Sequence, residues 1–307
     1  MAGTEKVSVD NMDSRKRIEE LIATLNDASR AYYDDASEVM TNFEYDALYD
    51  ELEALEKKSG IVMANSPTRN VGYTVQSELP KERHPSRMLS LDKTKDREEL
   101  KTWLGDNEGI LSWKLDGLTI VITYRNRELV KAVTRGNGDV GEVVTENART
   151  FENIPFHIPF TGEVVIRGEA VILYKDFEHI NAAIDDADAK YKNPRNLCSG
   201  SVRQLDSRIT AERHVRFYAF TVTSADNLDF GFSKIEELRW LESQGFEVVP
   251  YEKVNGTNLL GILGKFEDQV RDFAIPSDGL VLALEDLALA SRLGETAKFP
   301  RHSIAFK

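Results

Sequence analysis

The sequence predicts an α+β protein: a small helical domain over residues 1–70, followed by a larger domain over residues 71–307 with mostly antiparallel sheets. Three observations carry this reading. Ile18, Leu21, Ile22, Leu25, Ala28 and Tyr32 recur at three- and four-residue spacing near the start, the period of one helix face. Beyond residue 70, short runs rich in Val, Ile, Thr and Tyr mix with helix-like pieces and lack the regular βαβ rhythm of a doubly wound sheet. Between the two regions, residues 64–86 carry three prolines and little periodicity, so they read as a linker or a surface strap.

The elements follow in order. After the first helix, Thr41 with Glu44 three residues on forms a capping box. Leu48, Leu52 and Leu55 then line one face until KKSG ends the second helix. Strands are predicted near 110–115, 118–125, 128–135, 163–173, 215–223, 246–251 and 279–284, and helices near 174–186, 233–244 and 258–273.

With 307 residues and 41% hydrophobic content the chain can bury a sizeable core. No apolar run approaches the roughly 18 residues of a membrane span, and the N-terminus lacks the apolar centre of a signal peptide, so a cytoplasmic protein without membrane contact is expected. Cys198 is the single cysteine, which excludes an internal disulfide and fits a small side chain packed in a reducing compartment. A net charge of −13 argues against nonspecific nucleic-acid binding by the whole surface; any such contact must be local. One candidate is residues 193–216, where Arg195, Arg203, Arg208, Arg213 and Arg216 outnumber Asp206 and Glu212; the bland alternative is a solvated face.

The chemistry centres on SWKLDGLTIVITY, residues 112–124. A lysine held on a strand among apolar neighbours loses solvation for its charged form, which makes Lys114 a candidate nucleophile. Asp116 could orient the amine or hold magnesium, and Gly117 could let the backbone turn and a ligand approach. The glycine-rich TRGNGDVGE (134–142) adds Arg135, suited to a phosphate, and VVIRGEAVI (164–172) adds Glu169, suited to a ribose hydroxyl. Together the three suggest a nucleotide pocket; apart, each could be an ordinary surface pair.

These motifs, with NPRNLCSGSVRQLD (193–206), SDGLVL (277–282), FPRHSIAFK (299–307), NSPTRNVG (65–72) and HPSRMLSLDKTK (84–95), run in the order of one family. The chain resembles the N-terminal part of bacterial NAD+-dependent DNA ligases. The resemblance implies a helical domain that grips the nicotinamide mononucleotide (NMN) half of NAD+, followed by a nucleotidyltransferase domain of the DNA ligase/mRNA capping type. It implies that Lys114 attacks the adenylate phosphorus, releases NMN and keeps AMP as a phosphoramidate, the first step of nick sealing in replication and repair. Asp116 would assist, Arg135 and Lys307 would stand near ribose and phosphate, and Glu169 would bind the ribose. Tyr32, Asn42, Tyr45 and Asp46 would lie on the nicotinamide side, where aromatic faces and a carboxylate suit a cationic ring. Ser90 and Leu91 would lie beside the adenosine, and Arg195 and Arg203 would hold phosphates of nicked duplex DNA. Magnesium is implied as cofactor, zinc only in a four-cysteine module farther along the family's chain. A monomeric adenylation fragment, poor at sealing alone, is expected.

Two departures fall together. Where the family carries an acid two residues before the nucleophile this chain has Ser112, and Ala283 replaces a lysine of the DG-containing strand. By resemblance those two side chains read the adenine edge. Losing both leaves no stranded charge, so adenine is expected to be held by packing, backbone or water, with Ser112 a weaker polar contact. The rival readings are a non-catalytic NAD+- or AMP-binding module crippled by the missing lysine, and an ATP-using nucleotidyltransferase.

Overall fold

The computed structural model describes residues 13–28, 40–69, 78–186 and 189–307, apart from the side chains of Asn42 and Phe43. Helix α1 covers residues 13–28 and α2 spans Asn42–Ser59. Their apolar stripes meet: Ile18, Leu21, Ile22 and Leu25 of α1 pack with Leu52 and Met63. The capping box forms as predicted, with the Glu44 amide donating to Thr41 Oγ1 at 3.2 Å and the Thr41 amide to Glu44 Oε2 at 2.8 Å. Gly60 closes α2 in the left-handed region at φ 72°. The described parts of the predicted strap, residues 64–69 and 78–86, carry more structure than their composition suggests. Ser66 and Thr68 both donate at 2.5 Å to the buried Glu56 of α2, and the strap contributes a strand, β1 (Lys81–Arg83).

The larger region is two facing sheets. A five-stranded sheet has the order β2-β11-β10-β3-β9, with β2 at Asp92–Thr94, β3 at Gly109–Leu115, β9 at Tyr251–Val254, β10 at Ser277–Leu284 and β11 at Ser303–Phe306. All its pairs are antiparallel except β11 with β2. A four-stranded antiparallel sheet has the order β5-β4-β7-β8, from Leu118–Arg125 (β4), Glu128–Thr134 (β5), Glu163–Val171 (β7) and Arg216–Ala225 (β8). Strand β6 (Val140–Glu142) pairs with β1.

The strand period of two sorts the side chains. On β3, Leu111, Trp113 and Leu115 share one face. They pack under α3 (Arg97–Leu104) and α9 (Leu259–Gln269), with Trp113 stacked on Phe273 at 4.1 Å. Ser112 and Lys114 therefore face the space between the sheets. Behind the second sheet a larger core joins Ile120, Ile122, Tyr124, Ile166 and Phe217 to Phe151, Phe246 and α6 (Pro194–Val202).

The strand predicted at 246–251 is corrected. Phe246 belongs to the core, Val248 makes only a single bridge to Ala219, and Pro250 has no amide to give a ladder, so pairing starts at Tyr251. Helices α4 (Thr145–Ala148), α5 (Tyr174–Ala182), α7 (Ser207–Ala211), α8 (Lys234–Ser243) and α10 (Leu287–Leu293), with a 3-10 turn at Pro67–Arg69, complete the described elements. No helix among the described residues is long and apolar enough to cross a membrane.

Candidate active site

Between the two sheets lies a cleft of about 930 Å³. Lys114 enters its wall from β3, and its Nζ donates to Asp278 Oδ1 at 2.6 Å. Lys307, just past β11, donates from Nζ to Asp278 Oδ2 at 2.5 Å, so one carboxylate bridges two ammonium groups. Burial alone would raise the Asp278 carboxyl, but hydrogen bonds and charge from Lys114 and Lys307 hold it below the usual aspartate range. The carboxylate that meets the Lys114 amine is thus Asp278 rather than Asp116, which is bound to Arg195. Asp278 is the site residue that the sequence reading left unassigned; its signal was the SDG run opening β10.

Glu169 sits on β7 opposite Thr119 of β4. Its carboxylate accepts from Thr119 Oγ1 at 2.8 Å and from the Gly117 amide at 3.2 Å. Burial pushes its pKa up to about 7, and these two hydrogen bonds offset part of that rise. The reason for Gly117 also differs from expectation. A Cβ there would stand 1.9 Å from the Ala170 carbonyl oxygen, so the glycine admits the neighbouring strand β7 rather than a ligand. Asp116 follows Lys114 in the tight turn, where its Oδ1 accepts from Arg195 at 2.9 Å.

The glycine-rich turn after β5 positions the third group. Gly136 and Gly138 take positive φ, and the Asn137 side chain accepts from the amides of Asp139 and Val140. This turn clamps the strap and the residues after it, since the His84 amide donates to the Asp139 carbonyl and the Met88 amide to the Gly138 carbonyl, both at 2.9 Å. Arg135 then reaches the Met88 carbonyl and Ser90 Oγ, at 3.3 and 3.0 Å, which brings Ser90 and Leu91 onto the cleft beside Lys114.

Arg167, one strand position pair from Glu169, also lines the cleft and was not singled out from sequence. The Nε atoms of Arg135 and Arg167 are both buried without a hydrogen-bond partner among the described residues. Burial, then the charge of Arg135, lowers the Arg167 pKa. Two desolvated guanidinium groups beside Lys114 and Lys307 make this wall an anion receptor, the donor set a pyrophosphate needs. A magnesium ion fits less well. Among the described residues no three acidic, His or Cys side chains group to hold a metal, and Asp116 and Asp278 are already taken by cations.

The other predicted residues separate. Tyr45 packs with the α1–α2 cluster and stacks on Tyr49 at 6.4 Å, and Asp46 is exposed on α2; neither lines the cleft. Tyr32 and the Asn42 side chain lie outside the described residues. The arginine run is not one face: Arg195 reaches the cleft, Arg203 pairs with Glu142 at 2.7 Å, Arg208 with Asp206, and Arg216 turns inward among Glu19, Glu152 and Glu247. Cys198 is buried as expected, its thiol donating to the Ala170 carbonyl and its pKa raised by burial.

Comparison with known proteins gives two domain matches. Residues 76–307 match the NAD-dependent DNA ligase adenylation domain, and residues 11–72 match the DNA ligase-like, N-terminal NAD+-binding domain. A protein named DNA ligase from Lachnoclostridium phytofermentans is 58% identical over 293 residues, covering 95% of this chain and 45% of that protein. One from Ruminiclostridium cellulolyticum is 53% identical over 295 residues, covering 96% and 45%. The chain thus spans about half the length of these curated relatives. Among solved structures, mycobacterial DNA ligase D complexed with ATP and MES is similar at 14% identity and a TM-score of 0.40, over 72% of this chain and 60% of that one.

Proposed function

The chain belongs to the NAD-dependent DNA ligase adenylation domain family, and from that premise we propose that the cleft catalyses adenylyl transfer from NAD+ to Lys114. The observation that carries this is the Lys114–Asp278–Lys307 bridge set against the Arg135 and Arg167 guanidinium groups, whose buried Nε atoms have no hydrogen-bond partner among the described residues. In the reaction the Lys114 amine, after giving up a proton, attacks the adenylate phosphorus. A phosphorus–nitrogen bond forms, the bond to the NMN phosphate oxygen breaks, and the electron pair leaves with NMN.

Each neighbour has a distinct task. Asp278, at 2.6 Å, holds the amine on the line of attack and offers a carboxylate toward which its proton can move. Lys307 and the two arginines meet the charge that gathers on the phosphoryl oxygens as NMN departs. Glu169, anchored by Thr119 and Gly117, accepts from a ribose hydroxyl. Asp116 and Arg195 brace the turn that presents Lys114.

Nick sealing on duplex DNA belongs to the same proposal, with Arg195 and Arg203 as phosphate contacts, as do the NMN roles of Tyr32, Asn42, Tyr45 and Asp46 and a domain boundary near residue 70. ATP use is disfavoured by the match of the first helices to an NAD+-binding domain.

Intact mass spectrometry after incubation with NAD+ and magnesium tests the core claim. One added adenylate is expected with NAD+ but not with ATP, and none in Lys114→Ala. A folded protein that binds NAD+ yet gains no mass would support the non-catalytic module instead.

A further inference from the structure

The end of the cleft remote from Lys114 holds a second charged group that the mechanism above does not use. Lys234, the first residue of α8, and Glu237 one turn on both line the cleft. Their side chains are 13% and 3% exposed and pair at 3.0 Å. A cation in the first turn of a helix stands against the positive end of the macrodipole, and its burial adds a desolvation cost. Lys234 is therefore an expensive side chain to keep on this wall.

Its hydrogen bonding is incomplete. Lys234 Nζ donates to the Phe220 carbonyl at 2.7 Å and to Glu237 Oε2 at 3.0 Å. Glu237 Oε1 is filled by Thr221 Oγ1 at 2.7 Å and by the Val222 amide. An ammonium has three donors, so one N–H of Lys234 is unclaimed by these contacts. The floor facing it offers little polarity. By register Ala283 stands opposite Ile110 on β3 and Ser303 on β11, with Val281 opposite Ser112. The Lys234 amide is bonded to the Glu285 carbonyl, two residues beyond Ala283, which places the start of α8 at this end of the floor.

The nucleotide's orientation follows from the two ends. Its phosphorus must meet Lys114, four residues on along β3 from Ile110, about 13 Å at the strand rise. The sugar meets Glu169. The base then enters the apolar end with the edge farthest from the glycosidic bond leading, and in adenine that edge carries N1, an acceptor, and the 6-amino group. We propose that Lys234 is a specificity-determining residue for the base, its free N–H donating to adenine N1. This rests on the reading of the cleft as an NAD+ site. Glu237 is the positioning residue, fixing the ammonium by its bond to Lys234 while itself held by β8.

Rates of Lys114 adenylylation with NAD+ and with its 1-deazaadenine analogue, which lacks only the N1 acceptor, test it on the full chain. Wild type is expected to lose about tenfold in kcat/KM with the analogue, the effect of one hydrogen bond to a charged donor. In Lys234→Met combined with Glu237→Gln, which avoids stranding a buried carboxylate, NAD+ should fall to the analogue's level and the two substrates become equal. Equal rates in wild type, or a variant that keeps the wild-type ratio, would overturn the inference alone. Equal rates in wild type overturn it even where the variant does not fold. A wild type that binds NAD+ but never becomes adenylylated would overturn the functional reading and this inference with it.

Discussion

Glu169 is the residue whose behaviour follows most directly from its surroundings. Its folded pKa of about 7 stands above the ordinary glutamate value of about 4.3. In the empty cleft the folded protein therefore holds a proton that the unfolded chain has released. The stability this contributes is full below about pH 4.3 and is lost as pH rises to about 7. Binding runs the other way, because a ribose hydroxyl donates to the ionised form. The Kd of NAD+ for Lys114→Ala, which binds without turnover, should tighten as pH rises through about 7. Glu169→Gln should bind more weakly and show a flat profile, and calorimetry across that range checks both. This pairing was only half visible in the sequence: the residue types of Lys114, Arg135 and Glu169 pointed to a nucleotide. Asp278, Arg167 and Lys234 went unread because their meaning depends on partners 164, 32 and 14 positions away, on strands that sequence distance does not join.

At the scale of elements, strong periodicity was legible and short pieces were not. Strands β3, β4, β5, β7 and β10 stood within a few residues of their predicted places, because each alternates or fills a two-sided core. Strands β1, β2, β6 and β11 have three or four residues each, too few for a period to show. Helices α3, α6 and α10 carried a readable signal that went unused: Asp96, Asn193 and Asp286 each accept an amide hydrogen bond as N-caps. The cavity itself depends on one packing detail, the approach of β7 to the turn between β3 and β4. Gly117→Ala would put a methyl 1.9 Å from the Ala170 carbonyl oxygen and push apart the strands that anchor Glu169. A loss of about 1–3 kcal/mol in urea unfolding is expected, with a larger fall in adenylylation than in stability-matched core variants.

At the scale of the whole molecule, the helical region and the two-sheet region are joined by a partly buried polar cluster away from the cleft. Arg216 reaches Glu19 of α1 at 3.1 Å, Glu152 at 3.0 Å and Glu247 at 3.8 Å. From the other side Arg15 of α1 donates to the Gly245 carbonyl at 2.7 Å and approaches Glu247 at 3.6 Å. Burial alone would lower the Arg216 pKa, but the carboxylates of Glu247, Glu152 and Glu19 raise it well above its ordinary value. While α1 is held this way, Tyr45 and Asp46 stay off the cleft that contains Lys114. Arg216→Ala would remove the cation shared by Glu19, Glu152 and Glu247 and leave only Arg15 and His214 to meet them, and a loss of about 2–3 kcal/mol is expected, below the fully buried range because the side chain retains some solvent. His214 adds a pH dependence, since its Nδ1 pairs with Glu152 at 2.7 Å and that hydrogen bond raises its pKa. A raised histidine stabilises most below its unfolded pKa of about 6.5, and the contribution disappears as pH rises through the folded value. Hydrogen-exchange protection of residues 13–28 should therefore be higher at about pH 6 than at about pH 8. His214→Gln should remove that difference while Arg216→Ala lowers protection at both. Unchanged protection in Arg216→Ala would mean that apolar contacts hold α1 in place without the arginine.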